Sequence, residues 1–324
     1  MKNLYSRKVR YFVMTFLLLF SFLMAENQEE MHLRNVVPVD SPDEENAWEF
    51  HTSGDIDYSW LHYQKKHVIT SKESGSEVYG TLNVSADYDT RDWTHSFGFN
   101  VSGDWFLDKE DMPSLDTNSW EASLGVEYTL IGKTLFLDFG TNLNTSESET
   151  WDPDFFIWAE KYFVCFGRQK VGVAYWAFED LDGLSSLALY ASWHRNAVYG
   201  WSGSVYGGGR FETDSIAVPK YWLQWMGPSL KSRITYKFSN DISLEARGNL
   251  FYGFIVDGPY PNYEKIQKLQ GNWNFETSWK PGVLGVYVGM GQSYRRYILP
   301  SSCKYLYPDY IVYTNIGAGV RWDI

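Results

Sequence analysis

From Trp48 to the C-terminus the chain alternates apolar and polar residues with a period of two. Trp48, Phe50, Thr52, Gly54, Ile56, Tyr58 and Trp60 alternate with Glu49, His51, Ser53, Asp55, Asp57 and Ser59. Val78, Gly80, Leu82, Val84, Ala86 and Tyr88 alternate with Tyr79, Thr81, Asn83, Ser85 and Asp87, and Phe97, Phe99, Val101, Gly103 and Trp105 with Ser96, Gly98, Asn100, Ser102 and Asp104. The same period recurs in Trp120–Tyr128, Leu135–Leu143, Leu230–Phe238, Ile242–Tyr252, Leu269–Trp279, Val286–Tyr294 and Tyr310–Trp322. Successive side chains of a strand point to opposite faces, so the pattern predicts strands with one apolar and one polar face. Strands of soluble proteins run about five or six residues. These run about ten to fifteen, the length that tilted membrane strands require.

The connections alternate in length. Thr90-Arg91-Asp92, Gly132-Lys133, Gly167-Arg168-Gln169, Ser239-Asn240-Asp241 and Lys280-Pro281-Gly282 read as short turns. Between them fall longer polar segments at 64–76, 108–119, 145–154, 179–185, 210–227, 257–267 and 296–308. Short turns at one rim and long loops at the other are the habit of transmembrane barrels. The expectation is an all-β, antiparallel, up-and-down transmembrane barrel of about fourteen strands over residues 47–324, with twelve as the alternative. Residues 155–209 leave that choice open, because both faces there are apolar: Phe155, Phe156, Ile157 and Trp158, then Val171, Val173 and Tyr175 beside Ala174, Trp176 and Phe178. An in-folded loop covering the inner wall, or an apolar lining, would each account for that.

The first residues change the picture of where the chain goes. Lys2, Arg7, Lys8 and Arg10 precede an apolar run from Tyr11 to Ala25, the parts of a secretory signal peptide cleaved near Ala25. Residues 26–46 are polar and acidic, lack a period and carry Pro38 and Pro42, which predicts a flexible periplasmic leader. Net charge is −12 for the whole chain and −16 after residues 1–25, which repels nucleic acid. No stretch beyond Ala25 approaches eighteen apolar residues, so membrane-spanning helices are excluded. Aromatic residues make up 18% of the chain, with 15 Trp, in keeping with interfacial belts. Cys165 and Cys303 are the only two cysteines, and both read as unpaired thiols.

Taken with the alternating final segment Tyr310, Val312, Thr314, Ile316, Ala318, Val320, Trp322, the chain resembles Gram-negative outer-membrane β-barrels over residues 48–324. The predicted strand number is similar to that of monomeric fourteen-stranded, porin-like channels. The resemblance implies an outer-membrane location with both termini periplasmic. It also implies outer-membrane lipid, lipopolysaccharide and the barrel-assembly machinery as partners. It implies neither a cofactor nor a metal.

Chemistry was sought in the motifs that enzymes of this membrane would need. Trp93-Thr94-His95-Ser96 brings His and Ser together, but adjacent strand residues point oppositely and no third group orients the pair. His51 and His194 fall near predicted periplasmic ends, away from an outer-rim acid cluster. Asp180-Leu181-Asp182-Gly183 opens like a calcium loop and lacks the downstream Glu. No catalytic set is expected. The inward positions instead predict an acidic wall of Glu49, Asp55, Asp57, Asp87, Asp104, Glu121, Glu127 and Asp138. A basic wall of Lys231, Arg233, Lys237, Arg247, Arg295 and Arg321 stands against it, with Glu245 and Glu276. Aromatic girdles are expected at Tyr88, Trp93, Tyr128, Phe238, Trp279 and Trp322 on the periplasmic side, and at Trp60, Trp105, Trp120, Tyr252 and Tyr310 on the outer side. The function expected is passive diffusion of small hydrophilic solutes through a charged lumen. An outer-membrane hydrolase and a closed structural or adhesive barrel stand as alternatives.

Overall fold

A computed structural model describes residues 48–66, 70–107, 119–147, 151–180, 183–196, 199–215, 222–257, 265–300 and 308–324. The expected signal peptide and leader, Cys303 and most of the acidic segment 108–119 lie outside these residues.

The strands are β1 (Trp48–Lys66), β2 (Thr70–Asp89), β3 (Trp93–Phe106), β4 (Trp120–Gly132), β5 (Leu135–Ser146), β6 (Asp152–Phe166) and β7 (Gln169–Asp180), followed by β8 (Gly183–Arg195), β9 (Gly200–Ser215), β10 (Trp222–Lys237), β11 (Ile242–Asp257), β12 (Gln267–Trp279), β13 (Leu284–Ile298) and β14 (Tyr310–Asp323). Each pairs antiparallel with its sequence neighbours, and β14 closes on β1 to make a barrel of fourteen strands. The choice between twelve and fourteen is thereby decided. The region 155–209 supplies β6 to β9 as continuous strands, so its second apolar face belongs to the wall itself and not to an in-folded loop.

Pairing is regular enough for parity to be followed once around. Asp57 pairs with Tyr79, Tyr79 with Asp104, Asp104 with Glu121, Glu121 with Ser146, and the closing rung joins Asp57 to Gly319. A one-residue slip would exchange the faces of a strand. The bulges at Tyr162/Val164, Phe178/Glu179 and Gln224/Trp225 are the local irregularities.

Connections at one rim are short throughout: 90–92, 133–134, 167–168, 196–199, 238–241 and 280–283. Gly167 takes a left-handed φ of 55° in the two-residue β6–β7 turn, where a side chain would be strained. The first described strand begins and the last strand ends at this same rim, with the Ile324 carbonyl accepting from the Thr52 N–H at 2.9 Å. At the opposite rim the expected loops 64–76 and 179–185 are mostly strand: only 67–69 and 181–182 separate the flanking elements. The polar residues there keep the strand period while their outward positions turn hydrophilic, because the wall rises past the apolar band. Composition by itself marks such residues as the end of a strand.

The outer face is apolar. Phe50, Ile56, Phe99, Val126, Leu250 and Val288 are among its exposed side chains. Every expected girdle residue falls on this face by register, and Trp60, Trp105, Trp120, Phe238, Tyr252 and Trp279 are strongly exposed. At the short-turn rim rings meet across neighbouring strands: Trp48 and Tyr88 at 5.1 Å, Phe97 and Tyr128 at 5.0 Å, and Trp201 and Tyr236 at 4.8 Å. A water-soluble protein rarely exposes so continuous an apolar surface. A closed sheet leaves no unpaired edge, so such a surface suits the hydrocarbon of a bilayer.

Candidate functional site: the barrel lumen

Side chains on the concave face converge, so contacts that skip strands identify the interior. Tyr287 on β13 donates to Asp55 and Asp57 on β1, at 3.3 and 3.2 Å. Arg321 on β14 reaches Glu276 on β12 at 3.0 Å, and Tyr206 on β9 donates to Glu160 on β6 at 2.8 Å. Lys268 on β12 bonds Glu212 on β9. Such contacts fix the inner parity of every strand.

On that parity the register places Glu49, Asp55 and Asp57 on the inner face of β1 and Asp87 on that of β2. Asp104 of β3, Glu121 and Glu127 of β4, and Asp138 of β5 follow. The same inner face carries Glu73 of β2 and Asp152 and Asp154 of β6, which fall in the expected loops 64–76 and 145–154, and Glu77 and Asp89, which flank the alternation of β2. Lys65, near the tip of β1, is the one inward Lys or Arg among the described residues of β1 to β6.

The opposite arc is basic. Lys231, Arg233 and Lys237 line β10, Arg247 lines β11, Arg295 lines β13 and Arg321 lines β14. Arg210 of β9 and Lys268 of β12 join them. Several of these bases are held by carboxylates of their own arc. Arg233 and Arg247 both bond Glu245, Arg321 bonds Glu276, and Arg210 and Lys268 share Glu212.

Between the two arcs, β6 to β9 present aromatic rings inward. Glu160 is buried there and accepts from Trp158 Nε1 and Tyr162 Oη, both at 2.6 Å, and from Tyr206 Oη, with His194 Nε2 at 2.9 Å. A buried carboxylate is tolerated only when its lone pairs are satisfied, and here three donors do so, with His194 beside them. Lys231 sits 4.5 Å above the Trp158 ring, and Arg210 lies 5.1 Å from Trp176 and 5.6 Å from Phe251. Lys268 continues the series against Trp225 at 4.7 Å. Trp225, Phe251 and Lys268 are wholly enclosed, so this side of the interior is packed.

The acidic side is more open. A cavity of about 350 Å³ lies along β2 to β6, lined by Tyr79, Ser102, Asp104, Glu121, Ser123 and Asn144 among others. A lumen with carboxylates and small hydroxyls on one arc, and on the other bases of which several are paired with carboxylates, carries a net negative field into water-accessible space.

The motifs weighed for catalysis come apart in three dimensions. His95 points outward, where Nδ1 lies 2.7 Å from the Tyr128 hydroxyl, while Ser96 pairs with Asp87 on the inner face. His51 lies 3.6 Å from Asp87, and His194 serves Glu160. Cys165 is a free, exposed thiol. Among the described residues no group of His, Cys, Asp and Glu is arranged to hold a metal.

The closed, apolar-walled barrel with a polar interior decides the class. The chain is a fourteen-stranded transmembrane β-barrel. No protein-family model matches it, and no curated protein does. Solved structures similar to it include a loop-deletion form of OmpT, an outer membrane protein of Vibrio cholerae. That likeness has 10% identity, 87% of this chain and 100% of that one covered, and a TM-score of 0.44. The outer membrane channel DcaP of Acinetobacter baumannii is similar over 89% of this chain and 100% of its own, at 10% identity and a TM-score of 0.42. OccK9 of Pseudomonas aeruginosa covers 85% and 99%, at 11% identity and a TM-score of 0.41. These describe likeness of fold alone.

Proposed function

We propose that the barrel is an outer-membrane channel for passive diffusion of small hydrophilic solutes, with a preference for cations. The observation that carries this reading is the segregation of the lumen. The inner face of β1 to β6 bears a dense set of carboxylates opposed by Lys65 alone, while Arg210, Arg233, Arg247, Lys268 and Arg321 pair with carboxylates of their own arc. Rings of uncompensated acid select for cations in water-filled pores. The proposed orientation puts the short-turn rim and both chain ends in the periplasm, following the usual division of short and long connections. The reading assigns no catalytic role, since His95 and Ser96 stand on opposite faces of β3.

One observation favours a second reading, a closed structural barrel. The packed series Trp225, Phe251 and Lys268 occupies part of the interior. Planar-bilayer recording of the refolded chain separates the two. Discrete conductance with a cation-selective reversal potential, stronger in dilute salt, supports the channel. Bilayers that stay silent after verified insertion support the closed barrel.

A further inference from the structure

The charges on the outer face are few and unevenly placed. Among the described strand residues, outward parity gives Lys66 on β1, Lys72 on β2 and Arg296 on β13 at the long-loop rim. Lys161 and Arg195 face outward on β6 and β8, across the barrel. Glu179 of β7 is the one outward acid among these strand residues, and it too lies on the far side. A chain of net charge −12 has thus gathered three exposed, outward cations within four neighbouring strands.

Their register makes them a group. Lys66 pairs with Tyr310, and Tyr310 pairs with Arg296, so the three occupy one rung across β1, β14 and β13. Lys72 pairs with Gln64 on the adjoining rung, and the Gln64 amide donates to the Tyr310 hydroxyl at 2.8 Å. At about 4.8 Å per strand the group spans roughly 15 Å along the wall. Lys66 has Asp309 at 3.9 Å, a loose contact between exposed groups. Lys72 and Arg296 have no ion-pair partner among the described residues. Below lies the apolar band, with Trp60 outward two residues down β1 from His62 and four from Gln64. Cations just beyond an aromatic belt sit at the depth of lipid headgroups.

We infer that Lys66, Lys72 and Arg296, with the Tyr310 hydroxyl, form a binding surface for the phosphorylated headgroup of an outer-leaflet glycolipid. Two lysines supply mobile point charges, and the guanidinium supplies a planar fork for phosphate oxygens. Acyl chains would run down the apolar wall of β1, β14 and β13 past Trp60, Ile316 and Val288. The inference rests on the proposed orientation and not on conduction, so the two fail separately.

The test uses the full refolded chain in a neutral detergent, with bisphosphorylated lipid A as probe and dephosphorylated lipid A and phosphatidylglycerol as comparisons. Native mass spectrometry counts bound lipid, and thermal melts followed by heat-modifiable gel mobility report stabilisation. The expected result is retention of bisphosphorylated lipid A through detergent exchange, with a raised melting temperature. The triple variant Lys66→Gln, Lys72→Gln, Arg296→Gln should weaken binding about a hundredfold, at about fivefold for each basic residue beside a charged surface. If the triple variant folds poorly, Lys72→Glu alone should still weaken binding more than tenfold. Equal binding by the variants overturns the inference. So does equal stabilisation by dephosphorylated lipid A or by phosphatidylglycerol. Conductance of the variants in neutral lipid is expected to match the wild type, which keeps this result independent of the channel reading.

Discussion

Two substitutions close together on β4 test the facing of the wall directly: Val126→Arg and Ser123→Arg. Val126 pairs with Phe99 on β3, and Phe99 lies midway between Trp93 and Trp105. Six residues separate Phe99 from each Trp. At about 3.3 Å per residue and a tilt near 40°, the Phe99–Val126 rung stands roughly 15 Å from either belt, which is the middle of a hydrocarbon layer about 30 Å thick. Val126 is 49% exposed on the outer face, so Arg there must meet lipid. The depth-dependent cost of Arg on a barrel's lipid face is about 2–4 kcal/mol at midplane. Ser123 is also strand, yet its partners Ser102 and Asn144 line the acidic cavity with Asp104 and Glu121. An arginine there enters water-accessible space beside carboxylates, and its cost should be near zero. The difference corresponds to a factor of about thirty to a thousand in the folding equilibrium constant, at tenfold for each 1.4 kcal/mol. Equilibrium folding into phospholipid vesicles over a urea gradient, read by gel mobility and tryptophan fluorescence, measures both variants. Equal costs, or a greater cost at Ser123, would refute the assigned faces.

Neutralising Glu121→Gln, Glu127→Gln and Asp138→Asn together should move the reversal potential toward anions, most at low salt; an unchanged potential removes these carboxylates from the path. Glu212→Ala takes the shared carboxylate from wholly buried Lys268 and from Arg210, and should cost about 3–5 kcal/mol in vesicle unfolding. Lys268→Met should cost clearly less, because Arg210 still holds Glu212 at 3.0 Å; the reverse order would contradict the buried pairing. Tyr206→Phe deletes one donor to buried Glu160 and should cost about 1.5–3 kcal/mol, while Tyr236→Phe on the outer face serves as a near-silent comparison in the same melts.

The alternating period fixed most of this molecule before any tertiary contact was known. Strand direction, the two faces, the short turns and the facing of each girdle aromatic follow from a side-chain period of two, which neighbouring strands in register cannot contradict. Glu49 through Asp138 could be placed inward for the same reason. The period fails where polar residues continue a strand above the apolar band, as in Thr70–Ser76, so Glu73 reads as part of a loop. It fails again in β6 and β7, where both faces are apolar and parity carries no sign. Only closure of the barrel decided what meets across the lumen. Tyr206 of β9 and His194 of β8 converge on Glu160 of β6 beside its own-strand neighbours Trp158 and Tyr162, and Lys268 reaches Glu212 past two intervening strands. Those partnerships depend on curvature and on which strands stand opposite one another. A sequence states the face of each residue; the distance across a closed wall is a property of the wall.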